Sequence, residues 1–313
     1  MDPETVAEQA DDDEAWDSPD VPYEPEVALF GGVAVQSHRP AEVDVIAVLR
    51  DGVERVVQHS MGIDLSWYTS AIRLDDDLES GQPGVTGREG LDWDFVRSRE
   101  GALIGVTLGA RATALLPYHW HPKLRVVTVH ARFPQYVSWA GREVGGLTIG
   151  LSMHRWAMYG GGVDLRRVTG PLTDWLLAAA DALGADTGYV TLDTVDAQND
   201  FSPWERVTGC GPAARDVTST LWGYGWGTLL SPVHLDRIGG VERLEEVGAG
   251  VRALPGGRVW VALNDDIATL DPSAVAALRE VLRPALPVGS MTLEEYYNQP
   301  VNEYGPIIEH YVL

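Results

Sequence analysis

The sequence predicts an α+β protein whose strands form a mixed or antiparallel sheet with helices packed on one face. Three observations predict it. Short apolar, β-branched runs recur along the chain, three helical segments carry their own start and stop residues, and the two kinds of segment do not follow the strict alternation of a doubly wound sheet. Phrases of an apolar residue, Gly-Gly and a strand recur at 30–33, 144–147 and 255–259. They open the alternative of two similar halves, against which stands the chance recurrence expected with 34 glycines in 313 residues.

Residues 1–26 hold eleven acidic residues, no basic one and four prolines, so they cannot bury enough apolar surface to offset the entropy of ordering and read as a disordered acidic tail. An N-terminal α+β part over 27–160 and a C-terminal α+β part over 161–313 are expected to follow, as two parts or as one continuous domain. The run 27–36 (VALFGGVAVQ) reads as a buried strand, with Gly31-Gly32 marking a bulge or a close backbone approach. Alternation over 42–49 and Asp51-Gly52 before 53–59 predict a hairpin. Residues 75–92 are polar and glycine-rich and read as an exposed loop. Strands are predicted at 102–116, at the β-branched 124–131 and at 144–153.

The helices have capping chemistry. The segment 171–183 (PLTDWLLAAADAL) begins with Pro171 and stops at Gly184, with Leu172, Trp175, Leu176, Ala179 and Leu183 on one face. Ser231-Pro232 starts a second helix that stops at Gly239-Gly240, and Asp271-Pro272 starts a third that runs to Leu282. Between the last two, Gly256-Gly257 precedes a buried strand at 258–263.

Charge removes several function classes. Acids outnumber bases by 46 to 23, for a formal charge of -23 and a pI near 4.5, which argues against nucleic-acid binding and against docking on an anionic membrane. Without the tail, 35 acids face 23 bases, so the body still carries -12. The single Cys210 rules out an internal disulfide framework and a cysteine-rich zinc site. Arg111 interrupts the best apolar run, 102–117, below the roughly 18 residues a spanning helix needs. With no secretory signal at the start, a cytoplasmic location is expected.

Candidate sites divide into chemistry and binding. His119 and His121 lie two residues apart, on one side of an extended segment, and with His154 or His130 they could hold zinc or another transition metal, Asp193 or Asp196 adding oxygen ligands. A metal-dependent hydrolase built on them would use Asp193 or Glu205 as base. Pro117 and Pro122 bracket the pair, and a surface loop is the simpler reading. No local signature surrounds Cys210, and the three-residue spacing of Ser231 and His234 fits a helix cap better than a nucleophile and its base. The runs Asp75-Asp76-Asp77 and Asp265-Asp266 lack the spacing of a calcium loop and read as solvated charge. The stretch 222–227 (WGYGWG) has two readings. Trp222, Tyr224 and Trp226 could anchor a partner, or they could form a core strand whose glycines face bulky neighbours. Trp226→Ala separates the two, because it weakens partner binding in the first and unfolds the protein in the second.

The stretch 222–230 (WGYGWGTLL), then 231–240 (SPVHLDRIGG) and 241–244, resembles the pattern of the bacterial type VI secretion immunity family. There, an aromatic strand leads to a short helix ending in Gly-Gly, followed by an apolar strand and a final helix, as 258–263 and 271–283 follow here. The likeness covers roughly residues 170–290 and does not extend to the first 160 residues or to the acidic tail. It implies a non-enzymatic protein that neutralises a toxin by binding it, with no catalytic residue and no cofactor. An acidic inhibitor suits a basic toxin, because complementary charge raises the association rate. On this reading Trp222, Tyr224 and Trp226 bind, with Asp75, Asp76 and Asp77 assisting. The competing readings are the metal-dependent hydrolase on His119, His121 and His154, and a structural or scaffold subunit of a larger bacterial assembly.

Overall fold

The computed structural model describes residues 26–62, 64–73, 85–101, 103–112, 126–133, 138–139, 142–143, 146–153, 163–195, 216–221, 223–286, 290–291 and 307–308. Ten strands form one antiparallel sheet: β1 (Glu26–Val35), β2 (Leu65–Arg73), β3 (Val85–Glu89), β4 (Leu103–Ala112), β5 (Val127–Arg132), β6 (Leu147–Met153), β7 (Thr187–Val195), β8 (Gly227–Leu230), β9 (Gly250–Ala253) and β10 (Val259–Ala262). Their order across the sheet is β9-β10-β8-β7-β1-β6-β5-β4-β2-β3. The helices are α1 (Glu42–Gly52), α2 (Trp93–Arg97), α3 (Leu165–Leu183), α4 (Pro232–Ile238), α5 (Glu242–Glu245) and α6 (Pro272–Leu282). The class is α+β, as the sequence predicts. β1 lies in the middle, pairing with β6 on one side and with β7 on the other from Glu26↔Val195 to Ala34↔Thr187.

Strand alternation decides where the helices go. On β1, Leu29, Val33 and Val35 join one core, while Phe30 and Ala34 join another on the opposite face. The first core runs the width of the sheet, through Val106, Leu108, Val129, Ile149, Leu151, Val190 and Trp260, and packs under α1, α2 and α3. The second is confined to one end, where Tyr189, Leu230, Val259 and Val261 meet Val275, Leu278 and Leu282 of α6 and Leu244 of α5. Helices therefore lie on both faces, where cover on a single face was expected.

The expected hairpin at 42–59 is a helix. Val45, Ile46, Leu49, Val53, Val56 and Val57 are all buried, and their spacing is helical, although the valines favour a strand when read alone. α1 continues into a π-helical turn over Val53–Gln58, beside which the Trp175 indole donates a 2.9 Å hydrogen bond to the Val48 carbonyl. Asp51-Gly52 is therefore no turn. Gly52 makes room for the indole, since a Cβ there would sit 2.7 Å from Trp175 Cε2.

Other boundaries moved as well. α3 starts at Leu165, capped by Asp164, so Pro171 is inside the helix instead of opening it; Gly184 ends it in the left-handed conformation, as expected. β3 falls within the end of the expected loop at 75–92 and α2 follows directly after it, and β7 is a long central strand that the sequence reading passed over. Ser231-Pro232 and Asp271-Pro272 start helices where expected.

Candidate binding surfaces

The aromatic–glycine stretch is core wherever it is described. Trp222 lies outside the described residues. Tyr224 is 1% exposed in the second core and Trp226 7% exposed in the first. Burial pushes the Tyr224 hydroxyl up to about 12. The glycines between the rings are sites of close approach: a Cβ at Gly225 would lie 2.6 Å from Thr191 Cβ, and one at Gly227 would lie 2.1 Å from Trp260 Cζ2. As placed, Tyr224 and Trp226 are not available to a partner, and the expectation that they anchor one is corrected by their packing.

Trp226 also organises a polar network. Its Nε1 donates to Asn264 Oδ1 at 2.7 Å, the same oxygen accepts the Asp266 N–H at 3.1 Å, and Asn264 Nδ2 donates to the Thr269 carbonyl. Asp266 accepts from the Ala268 N–H and from Arg166 Nε at 2.8 Å. One acid of the Asp265-Asp266 pair thus caps a 3-10 turn and ties α3 to the end of β10, while Asp265 is exposed.

Ser231 and His234 form the cap expected from their spacing. Ser231 Oγ accepts the His234 N–H at 3.5 Å, and His234 Nδ1 lies 3.2 Å from the Ser231 N–H that it accepts. Both residues are buried, His234 completely. Desolvation holds the imidazole neutral, with its pKa lowered to about 4, against partial opposition from the nearby backbone of Thr220 and Val217 and the charge of Asp186.

Asp75, Asp76, Asp77, His119, His121, His154, Asp196, Glu205 and Cys210 lie outside the described residues, as does the side chain of Asp193. Among the described residues no three His, Cys, Asp or Glu side chains gather to hold a metal ion. His130 projects from β5 opposite Thr107 and Gly150, and desolvation, then Arg132, lowers its pKa to about 3. No helix among the described residues is long and apolar enough to cross a membrane.

What the sequence reading missed is a division within the sheet's second face. Over β7, β1, β8 and β10 that face carries the second core. Over β6, β5, β4 and β2 the same register positions hold Thr148, Gly150 and Ser152, then Thr128, His130 and Arg132, then Gly105, Thr107, Gly109 and Arg111, then Ser66, Tyr68 and Ser70. Among the described residues neither apolar core extends over these positions. The strands there carry hydroxyls, an imidazole and two guanidiniums, but Ser70, Thr128 and Thr148 are buried and, of the positions named, Ser66 and Arg132 alone are exposed. The signal was present in the strict alternation of 147–153 (LTIGLSM), whose polar positions all fall on one side.

Together the fold and these surfaces define an antiparallel α+β protein with a two-sided core at one end and a polar sheet face at the other. No protein-family model matches the sequence, and no curated protein matches it. Among solved structures, the Pseudomonas aeruginosa T6SS protein PA0821 superposes with a TM-score of 0.54 at 14% identity, over 85% of this chain and 79% of that one. The likeness is one of fold. It spans far more of the chain than the C-terminal third that carries the sequence resemblance.

Proposed function

We propose that this chain is a non-enzymatic binding protein associated with type VI secretion, and that it neutralises a basic toxin by direct contact in the cytoplasm. The observation that carries this reading is the shared fold with a T6SS protein over 85% of the chain. The resemblance of 222–244 to the type VI immunity pattern supports it independently. Charge supports the choice of partner: a body of 35 acids and 23 bases attracts a cationic protein and raises its association rate.

Asp75, Asp76, Asp77 and Trp222, which lie outside the described residues, stay with the binding reading as a proposal. The experiment is a titration of the purified chain into a toxic protein delivered by the host's own type VI apparatus. Toxin activity falling to zero at equimolar chain supports neutralisation by binding. Full activity at a large excess of the chain overturns it for every toxin so tested.

A further inference from the structure

The cap at the start of α4 departs from the usual capping box in one chemical respect. The residue that reaches back to the N-cap N–H is ordinarily Glu or Gln, whose oxygen accepts in any protonation state near neutrality. Here it is His234, and its Nδ1 can accept the Ser231 N–H only with that nitrogen unprotonated. The proton of the neutral ring then sits on Nε2, which is buried and has no hydrogen-bond partner of good geometry among the described residues.

A strap of chain depends on this ring. Residues 216–221 bring Val217 and Leu221, both fully buried, into the second core. The strap is tied by the Val217 N–H to Gln36 Oε1 at 2.8 Å, the Leu221 N–H to the Ala285 carbonyl at 2.8 Å, and Arg237 Nη1 to the Ser219 carbonyl. The backbone of Val217 and Thr220 lies beside the imidazole. The charged groups facing it are Asp186 at the start of β7 and Arg237 on α4 itself. Asp186 is already engaged, its Oδ2 accepting the N–H groups of Gln36 and Ser37 at 2.6 and 2.8 Å. A proton added to Nδ1 would lose the Ser231 N–H that this nitrogen had been accepting and turn to Ser231 Oγ at 3.1 Å, the oxygen that caps the His234 N–H.

We propose that His234 is an acid-operated latch: its neutral imidazole holds the cap of α4 and the strap 216–221 in place, and protonation breaks the cap and frees the strap ahead of global unfolding. The latch is independent of the toxin-binding reading.

Two measurements test it. Long-range ¹H–¹⁵N spectra of the imidazoles at neutral pH should show His234 with Nδ1 bare and the proton on Nε2; a proton on Nδ1 overturns the proposal outright, whatever variants do. Hydrogen exchange of the Val217 and Leu221 amides, corrected for intrinsic rates, should show opening that rises about tenfold per pH unit as the pH falls below 6.5 toward 4. In His234→Gln, which keeps an acceptor at the same helix position, that pH dependence should vanish while protection at neutral pH persists. Equal pH dependence in the two proteins would overturn the latch. If the glutamine variant does not fold, the tautomer and the wild-type exchange profile still decide the matter.

Discussion

The two ends of the sheet obey one rule and reach opposite results. At the β7–β8–β10 end, strands place large apolar residues on both faces, Leu192 against Tyr189 and Trp260 against Val261, and helices cover both. At the β5–β4–β2 end the first face is equally apolar, but the second carries Thr, Ser, Gly and His, and no apolar core among the described residues lies over it. Layering therefore follows from the identity of alternate residues and not from strand pairing, which is antiparallel throughout the sheet. An apolar face gathers an apolar core, whereas this polar one buries the hydroxyls of Ser70, Thr128 and Thr148.

This comparison can be broken at its apolar end first. Trp226→Ala should lower unfolding free energy by about 3–5 kcal/mol, the usual cost of removing a large core aromatic, as read by urea denaturation. A folded protein of near-wild-type stability would return Trp226 to the binding surface. Acid comes next. His234 and His130 titrate near 4 and near 3 in the fold, below the usual 6.5 of the unfolded chain. The unfolded state binds more protons in that window, so stability is complete above pH 6.5 and is lost as pH falls toward 4. The slope should be about 1.4 kcal/mol per pH unit for each group, measured by denaturation midpoints at successive pH values. A flat profile from pH 7 to 5 would contradict the burial of His234.

Smaller effects sharpen the contrast. Asn264→Ala leaves the Trp226 N–H without its acceptor and should cost about 1–3 kcal/mol. At the polar end Ser66→Lys, on an exposed position, should change stability by no more than about 0.5 kcal/mol. Reversing Asp75, Asp76 and Asp77 to lysine should leave folding intact and slow association with a basic toxin by about tenfold at low salt, as read by stopped-flow binding.

Local chemistry was legible in the sequence wherever one residue type has one dominant use. Ser231-Pro232, Asp271-Pro272 and Gly184 marked helix ends because caps require those side chains or a left-handed backbone. The helix at 42–58 was not legible, since Val43, Val45 and Ala47 mimic strand alternation until Trp175, more than a hundred residues away, shows which face is buried. The glycines of 222–227 allowed either a groove or a core, and only Trp260 and Thr191 packed against them decide it. The polar sheet face escaped notice for the same reason: each strand showed its alternation, but nothing local said that four polar sides lie edge to edge.

The most direct test of the proposed role is a competition between the parent host strain and a derivative lacking this chain. The deletion strain should be killed when the parent's type VI apparatus is active, survive when it is disabled, and be restored by expressing the chain in the cytoplasm. Equal survival against an active apparatus would contradict the claim that this protein neutralises a type VI toxin.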